Sequence, residues 1–203
     1  MVNLIKVLDD LEVTVTYFPV SKADRAERER LRALAEVTPI EVPKERSVAR
    51  HLRRSRGAYR AAILSRLGPA ERWLPSLRRL SPKTWTIFDT VDLHHLRELR
   101  QSEVEDDPVM RANALEVQQR ELRLVDSTDV TIVVSTVERE ILQRYRPRSR
   151  IRIVPTIHQI GAAGPGFESR SGIMFLAGFE HAPNVDAANW LVESIMPLVW
   201  ERI

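Results

Sequence analysis

The chain predicts an α/β fold: a doubly wound, Rossmann-like parallel sheet. Short apolar runs rich in β-branched residues alternate with segments of helical period along its length. Those runs, AAILS, TIFD and TIVV among them, are too apolar to face water on either side, which implies a sheet covered by helices.

In chain order, VNLIKVLDDL (2–11) is an amphipathic helix and VTVTYFPV (13–20) a strand. DRAERERLRALAE (24–36) is a charged helix with Leu31 and Leu34 on its apolar side, and VTPIEVP is a short or edge strand. YRAAILS (59–65) reads as a buried strand. PAERWLPSLRRL (69–80) is a helix bent or ended near Pro75, because proline lacks the N–H that the helix needs. TWTIFD (84–89) is a strand, followed by the helical stretches LHHLRELRQ and VMRANALEVQQRELRLVDS. In the second of these, Leu115, Leu122 and Val125 are expected to form the apolar face, with Glu116 and Arg120 paired four residues apart.

DVTIVVS (129–135) is the strongest strand signal, and Ser135 with Glu138 makes a capping box for the helix TVEREILQRY. RIRIVP (150–155) is a further strand. The stretch between Thr156 and Ser171 holds three of the seven glycines and reads as a linker. GIMFLAGF (172–179) is expected to be a buried strand, leading through EHAPN into the helix VDAANWLVESIMPLV. The tryptophans at 73, 85, 190 and 200 are expected to serve in packing. A doubly wound domain normally opens on a strand, whereas this chain opens in a helix and stops after one βα unit beyond the linker. The expectation is a piece of a longer protein.

Composition narrows the function classes. The 203 residues are 43% hydrophobic and 29% charged, ordinary for a soluble globular protein. There is no cysteine, which excludes disulfides and thiolate metal sites, and no signal-peptide layout at the N-terminus. The net charge is +3, with lysine only at positions 6, 22, 44 and 83. From Arg46 to Ala70 there are seven arginines and no acid. Arg50, Arg53, Arg54 and Arg56 form its densest part, a face suited to phosphate in anionic lipid headgroups or nucleic acid, or else simply solvated. No helix-turn-helix, zinc or RNA-binding signature accompanies it, which disfavours nucleic acid.

The stretch TIFDTVDLHHLRE concentrates Asp89, Asp92, His94 and His95 within seven residues. Read from the residues alone, it is a metal site, an acid–base pair, a sugar-binding loop or a helix entrance capped by Asp92. Metal is disfavoured because adjacent histidines on a helix point about 100° apart. Capping needs one acid only and leaves Asp89 unexplained.

The set IFDTVDLHHLRE, ELRLVDSTDVTIVVSTVERE, IRIVPTIH and GIMFLAGFEHAPNVDAANWLVESIMPLV, in this order and spacing, resembles bacterial glycosyltransferases of the family 4 type. VNLIKVLDDLEVTVTYFPV fits the first helix and second strand of such an enzyme. The resemblance covers nearly the whole chain, with Thr38 to Arg60 the weakest part. It implies a GT-B architecture: residues 1–157 as the acceptor-side domain lacking its first strand, 158–171 as linker, and 172–203 as the start of a nucleotide-sugar-binding domain. It further implies transfer of a hexosyl group from a nucleotide-diphosphate sugar to an acceptor hydroxyl with retention, in surface polysaccharide or glycolipid synthesis. The donor is then a co-substrate, with no other cofactor and no bound metal. The partners are the donor and a glycan or lipid-linked acceptor, at a cytoplasmic site or the inner membrane face.

On this resemblance Asp92, His94, Asp89 and Arg97 are the catalytic candidates, His94 and Asp92 acting on sugar hydroxyls or diphosphate and Arg97 on the leaving diphosphate. Gly178, Phe179, His181 and Asn184 are the donor-binding candidates, with Asn184 as a helix N-cap. Two departures stand against it. The paired glutamates of family members would lie beyond Ile203, and the loop GFEHAPN lacks the arginine and lysine that many relatives carry there. The rival expectation is a non-catalytic Rossmann-like binding or partner protein, which would fold alone and unfold cooperatively. A cut enzyme would instead expose the apolar face of WLVESIMPLVW.

Overall fold

The apolar runs at the centre of the chain pair side by side, as their composition implies. The computed structural model describes residues 2–18, 29, 38–39, 45–179 and 182–202. The predicted helix 24–36, apart from Glu29, and parts of the first two predicted strands lie outside the described residues. The chain divides into two compact units, Met1–Gln159 and Ile160–Ile203.

In the first unit, helix α1 (Val2–Asp10) leads to β1 (Thr16–Tyr17), which pairs in parallel with β2 (Thr38–Pro39). Helix α2 (Glu45–Arg54) precedes the main sheet. That sheet is built from β3 (Ala61–Ser65), β4 (Trp85–Asp89), β5 (Val130–Val133) and β6 (Ile151–Ile153). Between the strands run α3 (Leu67–Leu80), then α4 (His94–Val104) and α5 (Pro108–Ser127), then α6 (Thr136–Tyr145). All four strands are parallel in the order β3-β4-β5-β6, with no reversal inside this sheet, and β1-β2 form a separate sheet. The fold class is therefore α/β around a parallel sheet.

Period-2 alternation decides which face is covered. Leu64, Phe88, Thr131 and Ile151 lie in one cross-strand row, and all four are buried. Against this face pack Leu74 and Leu77 of α3, Leu122 and Val125 of α5 and Leu142 of α6. Burying such a side chain contributes about 1.5–3 kcal/mol. On the other face, Ile63 and Trp85 are partly exposed and Arg152 is exposed.

Several local expectations are corrected. Helix α3 continues through Pro75 to Leu80, because its apolar face is already fixed to the sheet by Leu67, Ala70, Leu74 and Leu77. Leu115 is exposed; the buried stripe of α5 is Ala114, Gln118, Glu121, Leu122 and Val125. Arg120 pairs with Glu71 of α3 through Nε (2.9 Å) and Nη2 (2.5 Å), so its hydrogen-bonded partner is across the helix interface and not Glu116. Trp85, Trp190 and Trp200 are largely exposed, and Trp85 lies under the Arg150 guanidinium at 5.6 Å.

The second unit contains a 3₁₀ turn (Phe167–Ser169) and α7 (Ala182–Trp190), which passes through a π-helical turn (Leu191–Ile195) into α8 (Met196–Trp200). The π turn ends two residues before Pro197, whose missing N–H breaks the ordinary ladder. Residues 172–179 are irregular and mostly exposed, not a buried strand. A strand needs a neighbour for its N–H and C=O groups, and none exists among the described residues of this unit. An open apolar groove is lined by Ile173, Phe175, Leu191, Met196 and Trp200.

Candidate functional site

Parallel sheets offer ligands the loops that leave the carboxyl ends of their strands. At that edge β3 is followed by Arg66 (φ 72°) and β4 runs into Val91 (φ 65°). For a β-branched residue this left-handed conformation is a true outlier, costing about 1–3 kcal/mol. Two strained residues on adjacent strand ends mark the segment from Asp89 to His94 as held in place by its surroundings.

The holding groups are identifiable. The Asp89 carboxylate accepts from Ser65 Oγ (2.7 Å) and from the Val91 N–H (3.2 Å), tying the two strand ends together. Thr90 Oγ1 donates to the Ile132 carbonyl at 3.0 Å. The Leu93 N–H donates to Glu138 Oε1 at 3.3 Å.

Helix α4 begins at His94, and its N-cap residue, Leu93, has no side chain able to accept. Glu121, from the middle of α5, takes over that role. Its Oε1 accepts the His94 N–H (2.9 Å), and its Oε2 lies 3.4 Å from the His95 N–H. The same two oxygens meet His94 Nδ1 at 3.2 Å and His95 Nδ1 at 2.5 Å. Burial pushes the Glu121 carboxyl up, but hydrogen bonds from the two imidazoles and the His94 N–H outweigh it and hold the group at about 2. Glu121 and His95 are 0% exposed, and His95 Nε2 has no partner among the described residues.

Asp92 is therefore no helix cap. Its Oδ2 accepts from Arg97 Nη1 at 2.5 Å, and its Oδ1 lies 4.0 Å from His94 Nε2. Both Asp92 and Arg97 are partly open to solvent, whereas the His94 side chain keeps 17% of its surface. The result is a chain of charged and titratable groups, Arg97–Asp92–His94–Glu121–His95, running from the surface into the core. Its outer end can accept from or donate to a hydroxyl.

Of the predicted catalytic residues, Asp92, His94 and Arg97 come together, while Asp89 is turned to Ser65 on the neighbouring strand. Arg97 is committed to Asp92, which reduces its charge toward a diphosphate. No group of three or more histidine, aspartate or glutamate side chains among the described residues could hold a metal ion. His95 is the histidine removed from such a role, since it faces Glu121 inside the core.

Sequence reasoning missed Glu121. The signal for it was its register: Ala114, Gln118, Glu121, Leu122 and Val125 repeat at helical spacing, and the only acid in that row is Glu121. Glu138 was found only in part. Ser135 Oγ does accept the Glu138 N–H (3.2 Å), but the Glu138 carboxylate goes to the N–H groups of Val134 (2.9 Å) and Leu93.

The donor-binding candidates lie in the second unit. Asn184 sits inside the first turn of α7 and is not its N-cap; its Nδ2 donates to the Gly178 carbonyl at 2.9 Å, closing the loop back on itself. Phe179 is exposed, with its ring 6.3 Å from that of Phe175. His181 lies outside the described residues.

On α2, Val48 and Leu52 are buried while Arg50, Arg53 and Arg54 are exposed, as is Arg56 just beyond it. The Tyr59 hydroxyl fixes this helix by meeting His51 Nε2 and donating to Thr16 Oγ1 at 3.0 Å.

The chain matches no protein-family model, no curated protein and no solved structure.

Proposed function

We propose that the chain is part of a retaining glycosyltransferase of GT-B architecture, comprising most of its acceptor-side domain and the beginning of its nucleotide-sugar-binding domain. The observation that carries this reading is the meeting of Asp92 and His94 at the carboxyl end of β4, on a strained, multiply anchored loop. The sequence resemblance to family 4 enzymes, which includes this loop, also supports it.

In this reading the anomeric carbon exchanges its bond to a phosphate oxygen for one to the acceptor hydroxyl oxygen. The hydroxyl proton leaves to the departing diphosphate. Such a reaction accelerates mainly by stabilising the leaving group and the oxocarbenium-like sugar. His94 Nε2 and Asp92 Oδ1 hold sugar hydroxyls at the carboxyl end of β4. In the second unit, Asn184 shapes the loop at Gly178, leaving backbone N–H groups near the start of α7 for the donor phosphates.

A lipid-linked acceptor would place the enzyme on the inner membrane face. The arginines of α2 then serve as its contact with anionic headgroups, each worth about 1 kcal/mol near such a surface. Among the described residues no helix is long and apolar enough to cross a membrane. Salt-sensitive cosedimentation with phosphatidylglycerol vesicles, lost on reversing Arg50, Arg53 and Arg54 to glutamate, tests this arm.

The test of the main reading starts from the source DNA. The reading frame is expected to continue past Ile203 into a second α/β half with paired glutamates. The full product is then assayed for release of nucleoside diphosphate from a panel of nucleotide-hexose donors, with and without His94→Ala. A genuine stop after Ile203, or turnover unaffected by His94→Ala, removes the proposal.

A further inference from the structure

Glu121 caps α4 but touches no solvent and so meets no substrate. An ionised carboxylate has room for about four hydrogen bonds. Glu121 has four N–H or imidazole nitrogen neighbours, two on each oxygen. Two of these are backbone N–H groups, which can only donate. The other two are the Nδ1 atoms of adjacent histidines.

We infer that Glu121 is a positioning residue that fixes the proton inventory of both imidazoles: each carries its proton on Nδ1. Nε2 is then the one nitrogen through which His94 exchanges a proton or meets a ligand. The argument is one of elimination. A carboxylate oxygen facing an imidazole nitrogen at 2.5 or 3.2 Å requires a hydrogen between them. The two backbone N–H groups favour the ionised carboxyl, and a single carboxyl proton could not serve both rings, so that hydrogen belongs to the ring.

Identical fixing leads to different fates for the two rings. His95 Nε2 is buried with no partner among the described residues. A lone pair there is tolerable, whereas an N–H without an acceptor is not, which again puts the proton on Nδ1 and leaves His95 a structural role. His94 Nε2 lies 4.0 Å from Asp92 Oδ1 on a side chain that still meets solvent. That separation is too long for a direct bond. Both atoms then accept, so a hydroxyl, with its single hydrogen, donates to one of the two from about 2.8 Å. The assignment of that hydroxyl to a sugar rests on the glycosyltransferase reading; the proton assignment does not.

The test is a long-range proton–nitrogen NMR correlation of the imidazoles in uniformly ¹⁵N-labelled full chain, without substrate. His94→Gln assigns the His94 signals by difference. Both rings are expected to show the proton on Nδ1. An Nε2–H tautomer in either ring overturns the inference.

In Glu121→Gln the amide offers one oxygen and one NH₂. One ring must then accept at Nδ1 and move its proton to Nε2, a change that loss of packing alone would not cause. A folded variant in which both rings keep Nδ1–H also overturns the inference. If Glu121→Gln does not fold, the wild-type spectrum decides alone. Failure of the sugar-transfer assay leaves this spectrum unaffected, so the two proposals fail separately.

Discussion

His95 Nδ1 lies 2.5 Å from Glu121 Oε2, and neither side chain exposes any surface. A carboxylate in the core is costly unless its hydrogen-bonding capacity is filled. Here the first turn of α4 fills it, and α4 in return gains the cap that its own sequence lacks.

Glu121→Ala removes the acceptor of four groups at once. The loss is expected to be about 3–5 kcal/mol, in the range for breaking one side of a buried polar network. Urea unfolding measures it. A loss below about 1 kcal/mol would show that the four contacts contribute little.

Acid should release the same contact. The folded carboxyl titrates at about 2 against an ordinary 4.5, so its contribution is complete above 4.5 and is lost as pH falls toward 2. The size of that contribution is about 3 kcal/mol. His94 and His95 face the carboxylate, with Asp92 and Arg97 next in the chain. Unfolding midpoints measured through this window should fall more steeply for the wild type than for Glu121→Gln; parallel curves would contradict the linkage.

Asp129 joins the starts of β4 and β5. Its Oδ2 accepts from both the N–H and the Oγ1 of Thr86 at 2.7 Å, and Thr86 is buried. Asp129→Ala is expected to cost about 2 kcal/mol. In a double-mutant cycle with Thr86→Val the two losses should be far from additive, because they share one contact. Simple addition would mean that the bond is energetically idle.

Val91 holds φ at 65°, where glycine is at ease. Val91→Gly normally sacrifices side-chain burial and adds chain entropy to the unfolded state, yet here it also relieves strain of about 1–3 kcal/mol. The expected net change in stability is within about 1 kcal/mol of zero. Val91→Ala, which keeps the strained backbone, should be less stable than the glycine variant in the same thermal melt.

The main sheet was legible because its strands are short, apolar and β-branched, and burial on a parallel sheet demands that composition. AAILS, TWTIFD, DVTIVVS and RIRIVP all became strands in the expected places. GIMFLAGF has the same composition but no strand among the described residues of its unit to pair with, so composition alone misled. The cluster at Asp92 and His94 was visible from residue type and position after a strand. Its organiser was not, since a glutamate inside a helix ordinarily faces water and only its register on the buried stripe distinguishes Glu121. Asp92 was ambiguous for a related reason: a cap supplied from another helix leaves no local trace.

The strand order β3-β4-β5-β6 has a kinetic consequence. Every strand lies beside its chain neighbour, so the sheet can grow by adding one crossover at a time and never waits for a distant segment. The widest loop to close is that between β4 and β5. Thr86 and Asp129 are 43 residues apart, against 24 for Ser65 and Asp89. By chain statistics alone the difference is about 0.5 kcal/mol. Docking α4 on α5 through the two histidines, if it comes first, shortens that loop. The rate of sheet formation should therefore respond to substitutions in this helical pair more than to those at either outer strand.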